Sequence, residues 1–256
     1  VAPTPVSALL HAVAVVKGGV FALMRVVYWC FGAEFLIGTK VQAAVLCVCC
    51  AAILYGSLRA LCTQHLKRRL AYSTVSQLSY ILMGVMLMTP AGLAAGLTHM
   101  VCHALMKITL FFCAGAILYK GGREYVYELR GVGRAMPVTM TCFTLAGLGL
   151  VGVPLFAGFV SKFMLGSAAA EAGGLGMLGV VSLIISAFFT LFYMVLIIGA
   201  AWFPAEGRED PHWNTQCDPN WNMKLPLIAI TAMSMVLGLW SGPLIQVFNR
   251  IAAGGL

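Results

Sequence analysis

Residues 92–119 read GLAAGLTHMVCHALMKITLFFCAGAILY, an apolar run long enough to span a bilayer that still carries His99, His103 and Lys107. Each of the three is four residues from the next. At about 3.6 residues per helical turn, that spacing stacks them on one face. Ionisable groups at membrane depth are costly, and they usually face a bundle interior or a water-filled path. The stripe therefore suggests a proton route.

The rest of the 256-residue chain has to be membrane protein too, because 61% of it is hydrophobic and only 9% is charged. That composition predicts an all-α, polytopic helix bundle, and the length allows about seven spans. The apolar runs place them at about 6–29, 42–62, 70–88, 92–119, 136–168, 175–203 and 223–248, in one transmembrane domain over 1–256. The chain begins with Val1 already in the approach to the first span, which suggests a piece of a longer subunit or an unusual start codon.

Two spans depart from a simple apolar pattern. The third opens LAYSTVSQLSY, where Ser73, Ser76 and Gln77 can line a hydrated path or bond to neighbouring helices. The fifth is too long for one straight crossing and contains GLGLVGVPLFAGFVSKF. Pro154 lacks a backbone donor and clashes with the preceding turn. With Gly152 and Gly158 beside it, a helix broken near 151–158 is expected. Such breaks are tolerated in membranes where they are buried in protein or line a cavity, and in transporters they often mark the ion site.

The formal charge of +8 does not indicate nucleic acid, since the basic residues fall mostly in linkers between apolar runs. Lys67, Arg68, Arg69, Lys120, Arg123, Arg130, Arg134 and Arg208 share one side, against Lys40 and Arg250 on the other, joined by Arg25 if its head reaches that surface. The positive-inside rule makes the first side cytoplasmic, with the N-terminus cytoplasmic and the C-terminus outside a cell (inner) membrane. Trp202, Trp213 and Trp221 are expected as interface anchors.

Lys17, Lys107 and Lys162 lie within spans, whereas all eight acidic residues lie in loops or near span ends. Burial without a counter-ion disfavours the charged form of an amine, so such lysines can exchange protons. Histidine relays them. His99 and His103 could instead ligate a metal or haem, but those sites need further ligands from other helices. The cysteines inside apolar runs read as small hydrophobes. Neither a P-loop nor a flavin or iron–sulfur ligand set is present, so neither cofactor nor redox centre is expected.

The stretches PTPVSALLHAVAVVKGGVF, KRRLAYSTVSQLSYILMG, THMVCHALMKITLFFCAGAI and GVPLFAGFVSKF resemble, in the same order, the antiporter-like proton-channel subunits of respiratory NADH:quinone oxidoreductase, Mrp-type Na+/H+ antiporters and membrane-bound hydrogenases. The resemblance implies a core of about fourteen helices built on two inverted five-helix repeats. This chain would be its C-terminal half, with one complete repeat. It further implies that Lys17 joins two half-channels, that His99, His103 and Lys107 form the stripe of the second, and that Lys162 stands on the broken helix near the exit. His11 matches a histidine that some members carry beside the central lysine. Two positions depart from the family pattern: Phe163 and His65 stand where acidic residues are common.

The expected function is proton translocation along Lys17, His11, His99, His103, Lys107 and Lys162, within an NADH dehydrogenase-like, hydrogenase-like or Mrp-type complex. Its partners would be other membrane subunits, the bilayer and protons, with sodium a further candidate ion. Two other readings stay open. One is a non-conducting structural or assembly subunit; the other is a stand-alone cation/proton antiporter.

Overall fold

The computed structural model describes residues 14–204, 213 and 217–254, together with 6, 8 and 10. His11, Glu206, Arg208, Glu209 and Asp210 lie outside the described residues. Among the described residues the chain is helical, and its extended pairing is a bridge between His65 and Tyr125.

Helix α1 (Val15–Arg25) runs on as a π-helical turn (Val26–Phe31) and stops at Gly32, whose φ of 82° is left-handed. A short α2 (Ala33–Leu36) leads to α3 (Lys40–Cys62). Thr39 Oγ1 caps α3 by accepting from the Gln42 amide at 3.2 Å. Helix α4 (Leu66–Met86) starts a turn earlier than its apolar run, taking the basic linker residues into its first turn. Helix α5 (Pro90–Gly121) is the long central element, about 48 Å at 1.5 Å per residue. Thr89 caps it, accepting from the Gly92 amide at 3.1 Å, and Pro90 needs no donor in the first turn.

After a short α6 (Val132–Ala135), the fifth apolar stretch forms α7 (Pro137–Val151) and α8 (Ala157–Ala172). The expected break is thus observed over residues 152–156. The chain closes with α9 (Gly176–Trp202), α10 (Trp221–Leu239) and α11 (Gly242–Gly254). The last apolar stretch, read as one span, is therefore two helices. Pro243 lacks an amide hydrogen and fits only the first turn of α11, so α10 ends before it.

Among the described residues, four helices are long and apolar enough to cross a membrane: α3, α5, α9 and α10. The other expected spans fall short for visible reasons. Helix α4 carries the hydroxyl-rich run, α7 and α8 divide one stretch between them, and the first stretch is described as regular helix only from Val15.

Helix α5 packs against α4, α7, α8, α10 and α11. Two apolar clusters form the core, one around Met106–Ile117 of α5 with α7, the other around Leu93–Leu97 with α3 and the outer turns of α4. The polar stripe of α5 begins where these clusters meet. At one end of the bundle the linkers clasp one another. The Leu66 amide donates to Glu124 O at 2.8 Å, and the Val126 amide to Gln64 O at 2.9 Å. His65 Nε2 pairs with the Glu124 carboxylate at 3.3 Å, so the facing linker supplies an acid beside the position where the family pattern has one. The third linker joins them: Trp213 Nε1 donates to Glu128 O at 2.9 Å, and Asp218 caps α7 by accepting from the Val138 and Thr139 amides and the Thr139 hydroxyl. The described parts of the three linkers thus meet at one end of the bundle.

Of the three tryptophans expected as interface anchors, only Trp221 is broadly exposed, at 69%. Trp213 is buried against Gly121, and Trp202 donates to Thr144 Oγ1 at 3.0 Å.

Candidate functional site

The stripe on α5 is completely buried, and α4 and α8 supply its partners. His99, His103 and Lys107 have no accessible surface, and Lys17 and Lys162 are buried to 7% and 6% residual exposure. The reading of one stripe holds in space: the His99 and His103 rings stack, with centroids 5.9 Å apart and planes 10° from parallel.

Lys107 points across to the start of α4. Its ammonium donates to Leu70 O at 2.8 Å and to the Ser73 hydroxyl. A lysine head has three N–H donors when charged and two when neutral, so these two acceptors suit either form. Ser73, expected from the sequence to line a path, is therefore in direct contact with Lys107.

Lys162 is placed by the broken helix. Its Nζ donates to Leu150 O at 2.7 Å and Val151 O at 2.9 Å. Helix α7 stops at Val151, so these last-turn carbonyls have no partner further along a helix. They also form the negative end of the α7 dipole, which attracts a cation. The break is held open by backbone geometry that only particular residues permit. Gly152 has φ +95°, and a Cβ there would sit 3.2 Å from Lys162 Cδ. A Cβ on Gly158 would lie 1.9 Å from Gly149 O. Pro154 sits inside the irregular segment, and Leu155 adopts φ 79°, a strained value for a residue with a side chain. Phe163 stacks on Phe159 and is 64% exposed, so this position faces outward, away from the buried Lys162.

Two residues not singled out from the sequence complete the line. Ser161 Oγ meets His99 Nδ1 at 2.9 Å, one residue before Lys162. Tyr80 is fully buried between them: its ring lies edge-on to His99 at 5.7 Å, and the Lys162 ammonium sits 5.7 Å from its centroid. Tyr80 does carry a sequence signal, since it continues the α4 series Ser73, Ser76, Gln77 by one turn. A second such set lies on α9, where Ser182, Ser186, Thr190 and Tyr193 are buried at helical spacing in an otherwise apolar segment. Ser186 Oγ bonds to Ser76 Oγ at 3.0 Å. Arg69, counted from sequence as a loop charge, is 3% exposed and donates to Thr63 O and Leu61 O at the end of α3.

Several buried polar atoms in this seam have no protein hydrogen-bond partner among the described residues: His99 Nε2, both ring nitrogens of His103, and the Gln77 amide. Unpartnered buried donors and acceptors are uncommon in packed interiors, where each costs free energy. They run along one line, between Lys107 and Lys162. Lys17, on α1, is buried as well. His11 lies outside the described residues. Among the described residues no carboxylate bonds to Lys107 or Lys162, and no group of three or more His, Cys, Asp or Glu side chains converges as a metal site. Gly147, Gly149 and Gly152 have the spacing of a dinucleotide-binding turn, but they lie along and just past α7. That is not the strand-to-helix setting such a turn requires.

Comparison with known proteins gives this arrangement a context. Residues 1–196 match the family described as NADH:quinone oxidoreductase/Mrp antiporter, TM. NADH-quinone oxidoreductase subunit L of Mycobacterium tuberculosis is 36% identical over 204 residues, 78% of this chain and 31% of the relative. NADH-quinone oxidoreductase subunit N of Desulforudis audaxviator is 31% identical over 253 residues, 95% of this chain and 50% of the relative. A probable K(+)/H(+) antiporter protein of Rhizobium meliloti is 34% identical over 245 residues, 93% of this chain and 23% of the relative. Among solved structures, a chain of an archaeal membrane-bound sulfane sulfur reductase superposes with TM-score 0.86 at 25% identity, covering 98% of this chain and 49% of its own. A chain of the Mrp complex from Dietzia sp. DQ12-45-1b shares the fold, with TM-score 0.82 over 96% of this chain and 52% of its own at 24% identity. The chain spans half or less of the length of the curated relatives it matches.

Proposed function

Because the chain belongs to the NADH:quinone oxidoreductase/Mrp antiporter transmembrane family, a family of multi-pass membrane proteins, we propose that it forms part of an antiporter-like subunit that carries protons through the membrane. The observation that carries this reading is the buried line Ser73–Lys107–His103–His99–Ser161–Lys162, with its unpartnered nitrogens in the middle. A proton held on Lys107 reaches Lys162 through two imidazoles and a hydroxyl. Among the described residues no hydrogen bond joins Lys107 to His103, one stacked ring to the other, or Ser161 to Lys162, so those steps use water molecules or side-chain turns. A charge change on Lys17 reaches His103 and Lys107 through the low-dielectric interior and provides the coupling. Redox or cation chemistry then belongs to partner subunits, and the acids missing from the path are theirs to supply.

In this reading the first apolar stretch, α3, α4, α5, α7–α8, α9 and α10–α11 are seven membrane elements, five of which form an inverted-repeat unit. The clasped linkers face the cytoplasm. Cysteine labelling tests the sidedness. Cys62 is exposed at the clasped end of α3, and Cys30 is exposed at the far end of the first helix. A membrane-impermeant maleimide is expected to modify Cys30 from the outside and Cys62 only after the cytoplasmic side is opened; the reverse pattern would invert the topology. The function is tested by proton uptake into vesicles holding the assembled host complex. Lys162→Met is expected to lower the flux about tenfold, the effect of losing one charge-assisted contact set. Wild-type flux from that variant would remove Lys162 from the path.

A further inference from the structure

The inner seam is the polar site of this chain, but the outer wall carries a second concavity with different chemistry. Helices α7 and α10 run parallel from the clasped end and separate enough to leave a crevice of about 370 Å³. Val138, Thr141 and Leu145 form one wall; Ile228, Ala232 and Met235 form the other. From Ile228 to Met235 the crevice follows α10 for about 10 Å of rise. Its polar edge is already satisfied within the helix, because Thr231 Oγ1 donates to Leu227 O at 2.7 Å. The crevice therefore offers mainly apolar surface to a guest, with the Thr141 hydroxyl as its other polar side chain. Ile228, at 41% exposure, marks it as open on the outer face.

The mouth of the crevice is charged. Lys224 lies one turn before Ile228, and the series 224, 228, 231, 235 keeps it on the crevice face of α10. Its ammonium rests 4.7 Å from the centroid of the Trp221 ring, and Trp221 is itself exposed. An exposed Trp beside a Lys at the head of an apolar helix is the arrangement expected at headgroup depth. One acid of the preceding linker, Asp218, is turned into the α7 cap by its bonds to Val138 and Thr139, and no ion pair joins it to Lys224.

We propose that this crevice binds an anionic glycerophospholipid, with one acyl chain between α7 and α10 and the phosphate on Lys224. The proposal rests on the membrane setting and is independent of the proton path. The lipid would also brace α7, whose far end carries the carbonyls that hold Lys162.

Native mass spectrometry of the detergent-purified chain tests this, after exposure to phosphatidylglycerol or to phosphatidylcholine with the same acyl chains. One phosphatidylglycerol per chain is expected to be retained in preference to phosphatidylcholine. Lys224→Gln is expected to weaken that preference about fivefold, the effect of one basic group at an anionic headgroup. Ala232→Phe fills the crevice from its exposed edge and is expected to lower retention of both lipids. Met233→Phe, on an exposed position outside the crevice, should change neither and controls for folding. Equal retention of the two lipids by the wild type, or full retention by Ala232→Phe, would overturn the site. So would a photoreactive group at Met235 that crosslinks, in the assembled complex, to a neighbouring subunit instead of to lipid.

Discussion

Lys107→Met is expected to stop proton translocation, by at least about a hundredfold, while leaving the chain inserted and folded. The two halves of that expectation come from different atoms. Methionine keeps the length and apolar body of the side chain, so no cavity opens. The main acceptor also stays satisfied, because Leu70 O still receives the Ser73 and Thr74 hydroxyls, each at 2.9 Å. What disappears is the one group on the stripe that can hold a proton beside Ser73. The measurement is acidification inside vesicles carrying the assembled complex, with membrane-inserted protein quantified in parallel. Flux loss with normal protein levels supports the path; normal flux removes Lys107 from it.

The second large effect concerns the break. Gly158→Val is expected to destabilise the chain by about 3 kcal/mol or more, seen as a lower unfolding midpoint in detergent and poor assembly. The Cβ would meet Gly149 O at 1.9 Å, a backbone atom that cannot rotate away. To accommodate it α7 and α8 would have to part, which would take Lys162 from Leu150 O and Val151 O. Gly166→Ala in the same helix is the control. Among the described residues nothing beyond its chain neighbours and its own helix backbone lies within 4 Å of the added Cβ, so it should be neutral or slightly stabilising. Equal behaviour of the two variants would mean that α7 and α8 are not held as described.

Much of this site is legible in the sequence because membranes leave few options for charge. His99, His103 and Lys107 share a face by spacing alone, and Pro154 among glycines announces a break before any coordinates. What spacing cannot give is the partner of each group. Lys162 beside a break is visible in the sequence; that the break's own carbonyls hold the lysine is a tertiary fact. Ser161 and Tyr80 are hidden in the same way, since a serine or tyrosine in an apolar helix gains meaning only from the helix opposite. The polar series on α9 has a readable period, but weak donors in a strongly apolar run look like ordinary packing. Trp213 and Arg69 depart from expectation for a related reason. Linker composition suggests exposure, whereas these two side chains fold back onto Gly121 and onto the end of α3. The split of the last stretch into α10 and α11 turns on Pro243, which an apolar average does not register.

The central claim is continuity between Lys107 and Lys162, and His103→Leu addresses it most directly. Neither ring nitrogen of His103 has a hydrogen-bond partner among the described residues, so leucine removes a proton carrier and breaks no bond. Both lysines keep every contact named above. Proton flux through vesicles containing the assembled complex, measured beside the unfolding midpoint of the variant, separates a relay from a packing residue. The account predicts flux below about a tenth of wild type, with an unchanged or higher midpoint. Wild-type flux with the same midpoint would contradict it, because protons would then cross without the imidazole that joins the two halves of the line.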